Sequence, residues 1–546
     1  MMGEIFRSSV PINVSNIPNC SLTNCLFKYL RQNLHIVAQK PWLIDVCTEK
    51  KILFGQVEER SRNVAKALAR RGFAKGDVLY FVSYDIVDIG VLQLAVWLLG
   101  GATRGSYQIS KPEEYARQMQ EAKCKFVAVD SHTVETIKQA IKIGNMDCDI
   151  INVGDEAING VLSFMELTQD DNATLLPKVQ IDSDKDVFLI CNTSGSTGEP
   201  KGVIHTHKNF LSVLSCFKEL MAENFDESIM LTASNFSIFN AWTMTLTLAT
   251  GNTMFCMSRY RKEEFLGHVL KYKPWKIFLY PYIMSWFARR PELDKHDFGF
   301  LKNISLGGSV VDPTTLELLQ KKFPKANFNL TYATTECLGV ATTPNNINLS
   351  LFGTSPDGER MVTSGFLFPL VEAKIIDLET GDLLGKNKLG LLFVRSLQLT
   401  KGYLVKDSEP DRSCFDCEGW FDTGDIAFFD TTGQLFVRER VSFMFKYYMH
   451  FVIPSEIEAV LQEHSAVQLA CVIAVPNMET TNLARGLVVL KNGENTTEEE
   501  LLALVARKLP LHKHLHGGLQ FVESLPENKG RKLDRMAIIK QYISHL

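Results

Sequence analysis

Thr193-Ser-Gly-Ser-Thr-Gly-Glu-Pro-Lys201-Gly202 sets three glycines, a row of hydroxyl side chains and one lysine in ten positions. Glycines let a backbone curl until several N–H groups face one anion. Ser194, Ser196 and Thr197 add hydroxyl donors, and Lys201 adds a point charge. The ligand this implies is a polyphosphate, with Thr193, Ser194, Gly195, Ser196, Thr197, Gly198 and Lys201 as its candidate contacts. A P-loop reads G-x-x-x-x-G-K-[ST] and places its lysine at the start of a helix. Here Pro200 precedes the lysine and Gly202 follows it, which argues against the P-loop NTPase fold. The apolar runs Val187–Cys191 and Gly202–Ile204 predict strands on either side, so the stretch reads as a loop between strands rather than a Ser/Gly linker.

Outward from this loop, apolar runs alternate with amphipathic stretches from about residue 50 to 345. Asp77–Ser83, Phe126–Val129, Val187–Cys191 and Lys276–Tyr280 read as strands, Val57–Arg71 and Thr314–Phe323 as helices. That alternation predicts parallel sheets covered on both faces, and the length suffices for two of them. From about 350 to 438 short β-like runs (Glu372–Ile376, Gly390–Val394, Gln434–Val437) are separated by Gly and Asp turns, which predicts a small, mainly β unit. Beyond Arg440 a compact α+β piece is expected, with a helix over 454–462, a strand over 470–475 and a helix over 498–508. The predicted class is therefore α/β: a large unit (1–439) of two parallel-sheet subdomains plus a small β-barrel-like one, and a small mobile α+β unit (440–546).

The 546 residues are 45% hydrophobic and 22% charged, with a net charge of −4, the composition of an ordinary globular chain. Nothing in the charge pattern favours nucleic acid. The most apolar stretch, Val78–Ala102, is interrupted by Asp85 and Asp88 and ended by Gly100-Gly101. It reads as a buried helix and strand rather than a membrane span, so no transmembrane segment is expected. The 12 cysteines are dispersed, and the lone Cys414-Phe-Asp-Cys417 lacks a second ligand pair for a zinc site. The final Ser544-His545-Leu546 resembles the Ser-Lys-Leu peroxisomal address, which would make the import receptor a partner and the peroxisome the compartment.

Four distant segments each offer a group that nucleotide chemistry needs. Thr331-Tyr-Ala-Thr-Thr-Glu336 supplies a ring for a purine (Tyr332), a hydroxyl for a phosphate (Thr335) and a carboxylate for Mg²⁺ (Glu336). Taken alone it also fits a helix start capped by Thr334. Gly419-Trp-Phe-Asp-Thr-Gly-Asp425 reads as a β-turn carrying a carboxylate suited to ribose hydroxyls. Arg438-Glu-Arg440 with Lys446 places positive charge at the boundary of the two units, and taken alone also fits a solvated, charged strand edge. Pro526–Arg535 places Lys532 between a Gly-containing turn and a helix, as a point charge for a reacting phosphate.

In their order and spacing these motifs resemble the adenylate-forming (AMP-binding) superfamily, with the insect luciferase-like and 4-coumarate–CoA-ligase-like acyl-CoA synthetases nearest. The resemblance covers residues 20 to 546. It implies that ATP, Mg²⁺ and a fatty or aryl carboxylic acid react to acyl-AMP and pyrophosphate, and that CoA then takes the acyl group. By that resemblance Gly307, Gly308 and Ser309 lie beside the acyl group and adenine, and Tyr332 and Ala333 line the adenine site. Thr335 contacts phosphate, Glu336 positions the metal, Asp425 takes the ribose with help from Arg440, and Lys532 bridges the attacking oxygen and the α-phosphate. Rotation of the small unit then brings a second face, carrying Lys446, to the site. The acid pocket is expected from Phe236, Ser237, Phe239, Trp242, Thr243, Gly307 and Gly339.

Three departures matter. The segment Phe445-Lys-Tyr-Tyr-Met-His450 has Met449 where a glycine would let the pantetheine arm pass. Ser237 and Val213 replace a histidine and an arginine expected of firefly-type light emission. Ser442 replaces the usual hinge lysine or aspartate. A luciferase-type monooxygenase is thus the alternative to a CoA ligase, and a non-catalytic binder is disfavoured by the joint presence of Lys201, Thr335, Glu336, Asp425, Arg440 and Lys532.

Overall fold

The two strands that flank the opening loop, Val187–Asn192 and Gly202–Thr206, form an antiparallel hairpin at the edge of a seven-stranded sheet in the computed structural model. The structure describes residues 3–154, 156–169, 175–193, 200–220, 224–232, 236–344, 349–448, 450–528 and 533–543. The hairpin's loop is closed at its feet, where the Thr193 N–H donates to the Lys201 carbonyl at 2.9 Å. Ser194, Gly195, Ser196, Thr197 and Gly198 lie outside the described residues.

Inward from the hairpin the sheet continues through Ala102–Gly105, Val78–Val82, Phe126–Val129, Asp149–Asn152 and Leu162–Ser163, all in parallel pairing. Val78–Ala102 folds as strand, helix and strand. Every residue of the Ile86–Leu98 helix is buried, which its all-round apolarity demands. No helix among the described residues is long and apolar enough to cross a membrane.

The second sheet has nine strands in the order 366–367, 338–342, 327–334, 303–307, 276–279, 228–231, 253–256, 41–45, 51–53, parallel through its centre and antiparallel at both ends. One of its strands, 41–45, comes from before the region where the alternation is legible. A third, six-stranded antiparallel sheet joins Val371–Ile376, Gly390–Ser396, Phe421–Phe429 and Leu435–Arg440 to the N-terminal Ile5–Arg7, with Leu383–Leu384 on its edge. One continuous apolar core runs through all three sheets, containing for example Phe81, Trp97, Leu231, Val340 and Leu392.

After Arg440 come a five-stranded sheet and the helices Pro454–Gln462, Glu498–Lys508 and Arg535–Ile543. This unit has its own apolar clusters, around Ile457, Val472 and Leu501 on one face and Cys471, Leu487 and Ile538 on the other.

Three local expectations are corrected. Thr334 does not cap a helix: residues 327–334 are a strand, and its hydroxyl accepts from Cys337 N–H across the turn that follows. Thr423-Gly-Asp425 is no β-turn but the interior of the strand 421–429, where Gly424 has φ +68° beside an irregular register. Arg438 is not on a solvated edge. It is 2% exposed and paired with Asp357, Glu359 and Glu456.

Candidate active site

The parallel strands 303–307 and 327–334 end side by side, and residues that bind ligands in open α/β sheets sit at such carboxyl ends. Gly307 must lack a side chain, because a Cβ there would lie 2.6 Å from the Thr331 carbonyl oxygen. Gly308, at φ +93°, turns the chain away from the sheet. With Ser309 and Thr331–Glu336 they form one wall of a cleft of about 2100 Å³. Pro200, Lys201 and Thr193 of the hairpin, with Tyr403 bridged to Val203 beside them, form a second wall, and Asp425 and Val437–Arg440 of the third sheet a third. The small unit closes the cleft with Glu527, Asn528 and Leu533–Ala537. Lys532 lies outside the described residues, but the residues on either side of its segment face this cleft.

Asp425 is buried and paired twice: the Tyr332 hydroxyl donates to its Oδ2, and Arg440 Nε reaches its Oδ1 at 2.9 Å. The sheet register puts Asp425 directly opposite Arg440, so the pair is set by the backbone. Burial, together with the Asp425 charge, holds the Tyr332 hydroxyl far above its ordinary pKa, so it remains a donor.

Glu336 follows the strand end. Its carbonyl accepts from Thr400 N–H at 2.7 Å, and its Oε1 accepts from the Tyr403 hydroxyl at 2.9 Å. Burial raises its pKa against that hydrogen bond. Such a carboxylate, short of countercharge and offering oxygen donors, suits a hard divalent cation such as Mg²⁺. Thr335 lines the cleft, and its carbonyl is held by His205 Nε2 at 2.9 Å. The Lys201 ammonium stands 4.8 Å from the centre of the Tyr403 ring. Tyr403 thus links the hairpin lysine to the acidic residue. No sequence motif singled it out, because Lys401-Gly-Tyr403 reads as an ordinary turn. Its placement depends on the long-range bridge between Val203 and Tyr403.

Of the acid-pocket residues Gly307 lines the cleft, while Phe236, Ser237, Phe239, Trp242, Thr243 and Gly339 lie outside its described lining. Phe239 packs on Phe278 at 4.1 Å and Trp242 on Phe217 at 5.2 Å. Phe236 packs on Tyr107 at 4.3 Å, and Tyr107 itself borders the cleft. Ser237 caps the helix 238–250 by accepting from Asn240 N–H, and Thr243 donates to the Phe239 carbonyl. Gly339 fits because a Cβ would come within 3.0 Å of the Phe368 ring. Lys446 lies on the strand 445–447 with its ammonium over Phe451 at 4.7 Å, away from the described lining of the cleft.

Sequence comparison gives this arrangement a family. The sequence model of the AMP-binding enzymes matches residues 32–404, and that of their C-terminal domain matches 456–532. The chain belongs to the AMP-binding enzyme family. Among the members it resembles, a probable CoA ligase, CCL5, of Humulus lupulus is 28% identical over 92% of this chain and 90% of its own length. A 4-coumarate–CoA ligase of Pinus taeda is 28% identical over 97% and 96%. Among solved structures, the anthranilate CoA ligase AuaEII in complex with anthranoyl-AMP superposes with a TM-score of 0.85 at 19% identity, covering 98% of this chain and 99% of that one. That likeness establishes the AMP-binding fold of the whole chain.

Two buried histidines behind the cleft give a pH test of this fold. Burial pushes His205 and His207 down to about 4 from the ordinary 6.5. Both take up protons more readily once unfolded, so their contribution is intact above about 6.5 and is lost as pH falls towards 4. His205→Gln, which keeps a donor for the Thr335 carbonyl, should show a shallower loss of urea midpoint between pH 7.5 and 5 than the wild type. Parallel curves would show that His205 is not held neutral.

Proposed function

We propose that this chain is an AMP-forming acid:CoA ligase that activates a fatty or aryl carboxylic acid with ATP. The observation that carries the reading is the convergence of Lys201, Thr335, Glu336, Asp425 and Arg440, from distant parts of the chain, on one cleft that Glu527, Asn528 and Leu533–Ala537 of the small unit also line.

In this reading the loop 193–201 holds the β- and γ-phosphates, and Gly308, Ser309, Tyr332 and Ala333 hold the adenine. Asp425 and Arg440 take the ribose. The carboxylate attacks the α-phosphorus and pyrophosphate leaves. Little covalent help is available in such a step, so positioning and positive charge carry the catalysis. Thr335 donates to phosphate and Lys532 supplies charge at the attacking and bridging oxygens. Mg²⁺, held by Glu336 beside the phosphates, would offset part of their charge. The small unit, beginning near residue 440, then turns to present Lys446, and the CoA thiol, losing its proton, attacks the acyl carbonyl and displaces AMP to give the thioester.

Among the described residues the cluster around Phe236, Phe239, Trp242 and Gly339 is aromatic and apolar, which favours an aliphatic or aryl acid over an amino acid. Ser544-His545-Leu546, outside the described residues, supports import into the peroxisome by its receptor.

Pyrophosphate release measured over a panel of fatty and aryl acids, with and without CoA, tests the reading. Release with one of these classes, and thioester formation only when CoA is added, is the expected outcome. No release with any acid would overturn it. Met449, also outside the described residues, is expected to slow the second step. Met449→Gly should therefore raise thioester output relative to adenylate, and an unchanged ratio would clear Met449 of that role.

A further inference from the structure

Directly beneath the feet of the hairpin loop lies a fully buried arginine. Arg104, on the strand 102–105, is 0% exposed. Its Nε and Nη2 both donate to Asn192 Oδ1, at 3.1 and 3.0 Å. Its Nη1 donates to the Gln118 carbonyl at 2.9 Å, and Nη2 pairs with Glu121 at 2.8 Å. Asn192 is thereby locked on both sides, for its Nδ2 donates to the Gly105 carbonyl at 2.9 Å and to Gln118 Oε1 at 3.0 Å. Gln118 Oε1 is in turn fixed by the Tyr80 hydroxyl at 2.7 Å.

Asn192 is the last residue before the loop, and it pairs across the hairpin with Gly202, the first residue after it. Gly202 also lies against the guanidinium: a Cβ there would be 3.2 Å from Arg104 Nη2. Arg104 therefore touches both feet of the loop and touches the cleft nowhere in its described lining. Burying a guanidinium is costly unless its donors are all engaged. Here four contacts engage it, and two of them converge on the residue that launches the loop. A planar fork of donors dictates the orientation of that side chain in a way a single ammonium does not.

We propose that Arg104 is a positioning residue for the polyphosphate. Its fork on Asn192 fixes the direction in which the 193–201 loop leaves the sheet, and so the affinity for the β- and γ-phosphates of ATP. The proposal rests on the reading of that loop as the polyphosphate cradle.

Calorimetric titration of the full chain with MgATP and, separately, with AMP tests it. AMP carries no β- or γ-phosphate and reports on the rest of the nucleotide site. Arg104→Lys, which keeps the charge but loses the fork, and Asn192→Ala should each weaken MgATP roughly tenfold or more, the usual scale for a charge-assisted hydrogen bond. Both should leave AMP binding within about twofold, which is under half a kcal/mol at RT of about 0.59 kcal/mol. The double variant should be no weaker than either single one, since both remove the same contact. Glu121→Gln, which keeps an oxygen acceptor for Arg104 Nη2 and so leaves the fork on Asn192 in place, should leave both ligands unchanged. Asn192 is only partly buried, so its variant carries the test if Arg104→Lys does not fold. Wild-type MgATP affinity in Asn192→Ala would overturn the proposal. So would equal losses for MgATP and AMP, or a loss in Glu121→Gln matching that of Asn192→Ala. Lys201→Ala separates the two levels: unchanged MgATP affinity there would sink the polyphosphate reading of the loop itself.

Discussion

Lys532→Ala is expected to abolish acid-dependent exchange of pyrophosphate into ATP while sparing thioester formation from supplied acyl-AMP and CoA. The expectation comes from where charge develops. During attack on the α-phosphorus, negative charge gathers on oxygens that Lys201, at the far end of the polyphosphate, is not placed to serve. A cation is needed one phosphorus away. The small unit brings Glu527, Asn528 and Leu533–Ala537 to the cleft, and Lys532, outside the described residues, immediately precedes Leu533 in sequence. Losing one well-placed donor in a water-poor site costs about 2.7–4 kcal/mol of barrier, or roughly 10²–10³ in rate. In the proposed reading the second half-reaction uses another face of the small unit, the one that carries Lys446, whose ammonium lies over Phe451. Lys446→Ala should give the reverse pattern, with exchange retained and thioester formation impaired. Normal exchange in Lys532→Ala would remove the assigned role.

Arg438→Met is expected to release the small unit from the large one. Arg438 lies at the end of the last strand before the junction and meets Asp357 at 2.9 Å, Glu359 at 2.7 Å and Glu456 still more closely. Lys513, from the small unit, adds a 2.6 Å pair to Glu456. Glu456 is as deeply buried as Arg438 itself, and burial already raises the Glu359 pKa against the pull of the arginine. Without Arg438 three carboxylates face one lysine. Removing a single partner from a buried ionic cluster costs about 3–5 kcal/mol, somewhat less where, as at Asp357, a partner is half exposed. Urea unfolding followed by separate probes of the two units should show the small unit leaving at lower urea. Arg438→Met combined with Glu456→Leu should recover most of the loss, because a matched apolar pair no longer strands a charge. An unchanged unfolding curve for the single variant would show that the cluster does not hold the units together.

Much of the fold was legible because its signals are local. The run Phe126–Val129 and the apolar stretch Val78–Ala102 form strands and a buried helix whatever their neighbours do. Pro454 opens the helix 454–462, and the helix 498–508 starts behind its Thr497 cap with three glutamates and ends on Arg507 and Lys508. Pairing between distant segments was not legible. Nothing in Pro41–Asp45 says that it joins Thr253–Cys256, and nothing in Ile5–Arg7 says that it joins Val371–Ile376. The candidate site divides in the same way. Glu336 and Asp425 are conspicuous in sequence because a carboxylate beside small residues is unusual. Tyr403, His205 and Arg104 act by touching those motifs from other strands, and contact of that kind has no linear signature. Arg438 belongs with them: it borders the cleft as Arg440 does, but it pairs with Glu456 of the small unit while Arg440 pairs with Asp425, a difference with no linear signal.

A single apolar core passes through all three sheets of the large unit, whereas the small unit keeps its apolar clusters to itself, and the contacts across the junction include the charged groups around Arg438, Glu439 and Arg535. A greasy joint resists separation by its area, gradually and with little regard for the medium. An ionic joint behaves otherwise. It holds firmly while dry, and once it parts, water and salt stabilise each exposed charge and slow its return. Ionic strength should therefore act on this enzyme as a control over which step it is poised for, and leave the body that grips the substrates as it was.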